Sequence, residues 1–376
     1  MPAGRTGDVK ILHVEAGRHL YGGALQVLYL LRGLAARGVR NVLVCPTSSD
    51  IGAAVRDEGG TVCETPMHGD LDAAFVMRLW AIARRERPDI VHLHSRRGAD
   101  LWGAVAARLA GVPVILTRRV DNPEHRSIVA LKYRLYDHVI TISEGIRQVL
   151  LSEGVTATRL TCVHSAVDTA AYDRDCDSEW FRAEFDLAPA ERALGVIAQL
   201  IPRKGHRYLF QALPAVLGRH RDCKVLLFGR GPLESELRAL TEDPALRDRV
   251  RWCGFRNDLA RILPCLYAVI HPAEMEGLGV SLLQAAAAGV PVIASAAGGI
   301  PEIVRDGING RLVPPRDPSS LGAAITQLLD DPDRARRMGE AGKRIANESF
   351  SIDAMVEGNM RVYRQLIAKH GAGTAP

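Results

Sequence analysis

Short apolar runs rich in β-branched residues alternate with helix-period segments along the whole chain. Nine stand out, at residues 10–14, 41–45, 90–94, 113–117 and 139–143, then 195–200, 224–229, 268–271 and 291–295. Alternating βαβ patterns of this kind predict parallel strands covered by helices. The series breaks at residues 168–189, where charge is dense and strand pattern poor, and the domain boundary is expected there. The fold class is therefore α/β, with two Rossmann-like halves, an N-terminal domain over 1–170 and a C-terminal domain over 171–354. Residues 352–368, with Met355, Met360, Val362 and Leu366 among the apolar positions, predict a helix. That helix, at about 355–370, is free to pack back on the first domain. Residues 371–376 read as a frayed tail.

The chain of 376 residues, 47% of them hydrophobic, is long enough to bury two cores. No apolar segment follows Arg5 as in a signal peptide, and nothing approaches the roughly 18 apolar residues of a membrane span. A cytoplasmic location is expected, with peripheral contact at the inner face of an anionic membrane as a further expectation. Seven cysteines (45, 63, 162, 176, 223, 253 and 265) form no CxxC and are odd in number. They indicate neither a zinc ribbon nor a disulfide framework and are expected as small buried residues. Residues 1–168 carry 21 Lys and Arg against 17 Asp and Glu; this suits anionic partners such as phosphorylated lipids or glycans, and serves solubility equally. No aromatic-basic platform points to nucleic acid.

Ligands of open parallel sheets sit outside the carboxyl ends of the strands. The run 268–271 ends in His271-Pro-Ala-Glu-Met-Glu-Gly-Leu-Gly-Val-Ser-Leu-Leu-Gln-Ala. Gly277 and Gly279, flanking Leu278, let the backbone approach a ligand at a helix start. Glu276 can accept hydrogen bonds from sugar hydroxyls, and Gln284, two turns on, lies on roughly the same face. Solvated polar groups at a glycine-rich helix start explain these residues equally well.

The same stretch resembles the GT4-type family of retaining glycosyltransferases, whose signature is a Glu, seven residues and a second Glu. Glu276 stands first and Gln284 second, which keeps an acceptor for the ribose and loses the charge. Pro202-Arg-Lys-Gly205, Gly229-Arg-Gly-Pro232, Gly289-Val-Pro-Val-Ile293, Gly298-Gly-Ile-Pro-Glu302 and Asp306-Gly-Ile-Asn-Gly310 follow in the family's order, covering most of residues 193–350. The resemblance implies a GT-B fold, two Rossmann-like domains facing each other across a cleft. It places the donor nucleotide sugar against Gln199, Lys204, Gly231, Phe255, Glu276, Gly277, Leu278, Gly279 and Gln284. Relatives carry an Arg where this chain has Gln199. Lys204 and Arg203, two cations beside Gly205, suit a departing diphosphate.

In the first half, Gly22 and Gly23 open a helix and can admit a phosphate or sugar of the donor, although a tight turn also selects glycines. The spacing is not that of a dinucleotide fingerprint. His92 and His94 share a face of their strand; His92 is expected in the core and His94 at the strand end as a catalytic or acceptor-binding residue. Arg118 and Arg119, standing where the family often has a His, are expected to bind anionic groups of the acceptor; salt bridging to Asp121 or Glu124 is the plainer alternative. Residues 125–136, with Arg126, Lys132 and Arg134 between apolar positions, form either an ordinary packed amphipathic helix or a membrane-facing one.

The expected activity is retaining transfer of a sugar from a UDP- or GDP-linked donor to a hydroxyl of a glycan or lipid-linked acceptor, in cell-surface polysaccharide or lipopolysaccharide synthesis. Glu276, Lys204, Arg203 and His94 carry it, with no cofactor or obligatory metal, because Asp70-Leu-Asp72 precedes a predicted helix. The alternatives are a sugar-nucleotide epimerase, a phosphorylase, or a degenerate GT-B scaffold, the last kept open by Gln284, Gln199 and Ser165-Ala166.

Overall fold

The computed structural model describes residues 9–95 and 98–372. Residues 1–8, Arg96, Arg97, residues 373–376 of the tail and the side chain of Arg126 lie outside the described residues. The chain divides into two compact units. One comprises residues up to Ala166 together with those from Ile352 onward, the other Val167–Ser351.

The first unit holds β1 (Lys10–Val14), β2 (Arg40–Cys45), β3 (Thr61–Glu64), β4 (Ile90–Leu93), β5 (Val114–Arg118), β6 (His138–Thr141) and β7 (Leu160–Cys162), ordered β3-β2-β1-β4-β5-β6-β7. The second holds β8 (Arg192–Ile197), β9 (Cys223–Phe228), β10 (Val250–Gly254), β11 (Ala268–His271), β12 (Val292–Ser295) and β13 (Gly310–Val313), ordered β10-β9-β8-β11-β12-β13. Neighbouring strands pair in parallel throughout. Central strands such as β4 and β11 are buried at every position, as expected when helices cover both faces.

Each sheet reverses its strand order once, between β1 and β4 and between β8 and β11. Loops diverge at such a point and leave a crevice at the carboxyl ends. The C-terminal helix Ile352–Ala372 lies on the first unit against the helix Gly22–Ala35. Val356 sits over Gly33, where a Cβ would come 2.4 Å from its Cγ2, so only glycine permits this approach. Tyr363 reaches from the same helix to His92 in β4, 2.7 Å away.

Two cysteines depart from the expectation of small buried residues outside any disulfide: Cys176 and Cys265, neither fully buried, are joined in a disulfide across 89 residues of sequence. Cys45 and Cys223 are buried as expected, while Cys63, Cys162 and Cys253 are half-buried. No helix among the described residues is long and apolar enough to cross a membrane.

Candidate active site

In the second unit the loops after β8 and β11 meet at the reversal point. Strand β8 leads into a short 3-10 turn, Pro202–Lys204, closed by Gly205 at φ 68°. A Cβ on Gly205 would lie 1.9 Å from the carbonyl oxygen of Pro272, so glycine is required both for the backbone twist and for the closeness of the loops. The backbone N–H of Glu274 donates to the carbonyl of Arg203 at 2.8 Å and fixes the pairing. The outcome is a direct ion pair between Lys204 Nζ and Glu276 Oε2, both largely buried.

His271, the last residue of β11, donates from Nε2 to the same Oε2 at 2.9 Å. Burial alone raises the pKa of a carboxyl group. Here the hydrogen bond from His271 and the Lys204 cation outweigh it and hold Glu276 well below the usual carboxylate range. His271, fully buried, is shifted downward by desolvation, against the pull of Glu276. The backbone of Glu276 is held in turn by the Gly298-Gly299 turn, since Gly299 N–H donates to its carbonyl at 3.0 Å. A Cβ on Gly298 would lie 1.9 Å from that carbonyl oxygen.

The other residues expected at a donor site in this unit lie on the loops after β8, β9, β10 and β11 and on the helix that follows β11. Leu200 N–H donates to the carbonyl of Arg230 at 3.0 Å, bringing the Gln199 loop onto the Gly229–Pro232 turn. A Cβ on Gly231 would collide with the backbone of Leu200. Gly277 and Leu278 are buried, Gly279 caps the helix Val280–Ala287 at φ 102°, and Gln284 lies half-buried on that helix. Phe255 follows β10 and is 50% exposed. Gly22 and Gly23 belong to the other unit.

In the first unit the reversal point opens as a recess of about 350 Å³, lined by residues following β1 (Glu15, Ala16, Gly17), β4 (His94, Ser95) and the end of β5 (Arg118, Arg119), with Gly23 and Asp100. Arg119 packs on Gly23, whose Cβ would sit 3.4 Å from Arg119 Cδ. Burial lowers its guanidinium to about 10, while Glu15 pulls the other way. Arg118 has a different task. Its guanidinium donates to the carbonyls of Val120 (2.9 Å) and Asn122 (2.6 Å) and lies 3.1 Å from Glu124. Glu124 and Asp100 both pair with Lys132, at 3.2 and 2.7 Å. Arg118, at the edge of the recess, is thus a buried strut of the loop after β5, while Arg119 lines the recess beside Gly23. Lys132 likewise turns inward, leaving Ile128 (56% exposed) and Leu131 (72% exposed) on the outer face of the helix Arg126–Lys132.

His94 is buried at the recess wall beside His13 and His92, and nitrogens of the three rings lie within 4.8 Å of one another. Three imidazoles so placed fit a metal ion by proximity, but hydrogen bonds occupy both nitrogens of His13 and His92. His13 contacts Asn41 and His94; His92 contacts Tyr363 and Thr117. His271, Glu15, His13, Asn41 and Gly298 are additions to the residues given a role from sequence. Glu15 and His271 give a sequence signal by their place at strand ends, and Gly298 by its Gly-Gly pair; His13 and Asn41 give none.

Known proteins share the sequence pattern and the fold of this chain. The model described as "Glycosyltransferase Family 4" matches residues 21–171, and "Glycosyl transferases group 1" matches 177–345. A GDP-mannose-dependent alpha-(1-6)-phosphatidylinositol monomannoside mannosyltransferase of Mycobacterium tuberculosis is 34% identical over 271 residues, 67% of this chain and 70% of that protein. The alpha-D-kanosaminyltransferase of Streptomyces kanamyceticus is 25% identical, covering 91% of this chain and 99% of its own. A lipopolysaccharide core biosynthesis glycosyltransferase of Rhizobium meliloti is 25% identical, covering 96% and 99%. The fold is shared with a solved Anabaena protein in complex with UDP and glucose, at TM-score 0.83 and 20% identity over 94% of this chain and 99% of that one. With two parallel sheets of GT-B type and both halves matched, the chain belongs to the GT4-type glycosyltransferases, group 1.

Proposed function

We propose that this glycosyltransferase moves a sugar, with retention at the anomeric carbon, from a UDP- or GDP-linked donor to a hydroxyl of a glycan or lipid-linked acceptor. The observation that carries the reading is the constellation of Lys204, Glu276 and His271 at the reversal point of the second sheet. A nucleoside diphosphate gains negative charge as it departs, and a buried ammonium stabilises that change. A carboxylate held ionised beside it accepts hydrogen bonds from the sugar hydroxyls. Arg203 and Gln199 flank the diphosphate, Gln284 accepts from the ribose, and the Gly229–Pro232 turn and Phe255 border the nucleotide. Gly22 and Gly23 admit the donor phosphates, and His94 and Arg119 contact the acceptor. These side chains supply both cation and hydrogen-bond acceptors, so the reaction runs without an obligatory metal.

The relatives' names support this reading: one uses GDP-mannose on a phosphatidylinositol mannoside and another builds lipopolysaccharide core. We place the protein in cell-surface polysaccharide or lipopolysaccharide synthesis, in the cytoplasm. Ile128 and Leu131, with exposed Arg134, rest on the anionic membrane face; failure to co-sediment with anionic vesicles at low salt removes that contact.

The deciding experiment is a thermal-shift panel of UDP, GDP, ADP and their sugar conjugates, followed by product analysis with the stabilising donor. A ligand that binds only the folded state raises the melting temperature with concentration. A shift abolished by Lys204→Ala, with donor and product sharing anomeric configuration and turnover persisting in EDTA, supports the proposal. No shift with any nucleotide, or an inverted product, overturns it.

A further inference from the structure

We propose that Asn41, acting through His13, fixes the tautomer of His94 and leaves His94 Nδ1 as a bare lone pair at the recess, an acceptor for a hydroxyl of the incoming sugar acceptor. This rests on reading the recess as the acceptor subsite.

Asn41 Nδ2 donates to the carbonyl of Val39 at 3.0 Å and reaches that of Leu31 at 3.5 Å. Carbonyls only accept, so these contacts orient the amide and leave its oxygen facing His13 Nε2 at 3.1 Å. That nitrogen must carry the proton. Burial holds the His13 ring neutral, with its pKa lowered to about 4, so its Nδ1 is bare and accepts. The partner at 2.9 Å is His94 Nε2, which therefore donates. His94 is neutral too, because burial, His92, His13 and Arg119 all disfavour its charged form. A neutral imidazole has one proton, and with Nε2 holding it, Nδ1 has none.

His94 is 1% exposed, and its Nδ1 has no hydrogen-bond partner within the protein among the described residues. His92 makes the contrast. It lies between the hydroxyls of Tyr363 and Thr117, each able to donate or accept, so these contacts suit either tautomer. Arg119 lines the same recess and its Nε, a donor, is likewise without a hydrogen-bond partner among the described residues. The residues that wall the recess thus hold one buried acceptor and one buried donor, each unpaired among the described residues. A hydroxyl answers both, giving its proton to His94 and a lone pair to Arg119, whereas an ether, ketone or carboxylate can only accept. Asn41 and His13 are positioning residues in this scheme.

The test is the ring-nitrogen spectrum of the full chain labelled with 15N-histidine at pH 7.5, where two-bond couplings report which nitrogen holds the proton. His13→Gln and His94→Gln assign the signals. The expected result is Nε2–H with bare Nδ1 for both His13 and His94. In Asn41→Leu, with melting temperature retained, the Nδ1–H form of His94 should rise roughly fivefold or more, the ratio one hydrogen bond sustains. His94 protonated on Nδ1 in the parent chain overturns the proposal, as does an unchanged His94 in Asn41→Leu. Should Asn41→Leu fail to fold, the parent spectrum alone decides. No acceptor is needed, so an error in assigning the recess shows separately, as unimpaired transfer in Arg119→Met.

Discussion

Lys204 and Glu276, 72 residues apart in sequence, form a direct ion pair that joins the loops after β8 and β11. The pair neutralises the centre before any ligand arrives, so an incoming diphosphate competes with Glu276 for the ammonium. Lys204→Ala is expected to lower transfer by roughly 10²–10³, the effect of losing one preorganised charge-stabilising donor. Glu276→Gln should lower turnover similarly while binding free nucleoside diphosphate at least as tightly as the parent. Titration calorimetry and initial rates check this, and a Glu276→Gln variant that loses diphosphate affinity contradicts it.

The two adjacent arginines should separate cleanly. Arg118→Met leaves Glu124 buried without one of its cations and removes two carbonyl contacts; breaking such pairs costs about 3–5 kcal/mol. Arg119→Met should leave stability within about 1 kcal/mol and impair transfer through the acceptor KM. Urea unfolding and steady-state kinetics on the two variants distinguish them.

Gly298→Ala sets a Cβ against the Glu276 carbonyl at a backbone with φ of 54°. A cost of roughly 1–3 kcal/mol is expected, with loss of donor affinity because the clash falls on the backbone that carries the carboxylate. Equal stability of variant and parent in chemical denaturation would count against the geometry.

Acid should weaken the fold before the carboxylates titrate. His13 has its pKa lowered from 6.5 to about 4 by burial. Between these values the unfolded chain binds a proton that the folded chain refuses, so stability falls as pH drops from 6.5 towards 4. The displacement corresponds to about 3 kcal/mol. Glu276, lowered by His271 and Lys204 against its burial, adds stability above its ordinary carboxylate range that is lost at still lower pH. Melting curves of the parent and His13→Leu against pH should show the shallower slope in the variant across pH 6.5 to 4.

Removing the disulfide by Cys176→Ser or reduction should cost about 2–4 kcal/mol. Melting with and without dithiothreitol should differ in the parent and coincide in the variant.

The nine apolar runs of the sequence correspond to the nine interior strands. The four strands whose bounds they do not mark, β3, β7, β10 and β13, are the four sheet edges. The physical reason is exposure: β3 reads Thr-Val-Cys-Glu with neither end buried, and a strand with one free flank needs no continuous apolar run. Around the candidate site, residues next to glycines were legible, because loop closure at Gly205 leaves a local trace. His13 and Asn41 were not. Their significance comes from β1 and β2 lying side by side and from hydrogen bonds between strands, which no spacing along the chain encodes. Arg118 and Arg119 are chemically identical in sequence, and only the course of the following loop ties the guanidinium of Arg118 to its carbonyls and leaves that of Arg119 beside Gly23. The Cys176–Cys265 link is invisible for the same reason, since its partners are distant in sequence.

That link also has a topological meaning. It closes residues 176–265 into a covalent ring that contains β8, β9 and β10 and the Lys204 turn, while β11 and Glu276 lie outside. The cation and the carboxylate of the centre therefore come from different pieces of one polymer, a ring and the open chain leaving it. A single backbone cut anywhere inside the ring would leave both fragments tethered.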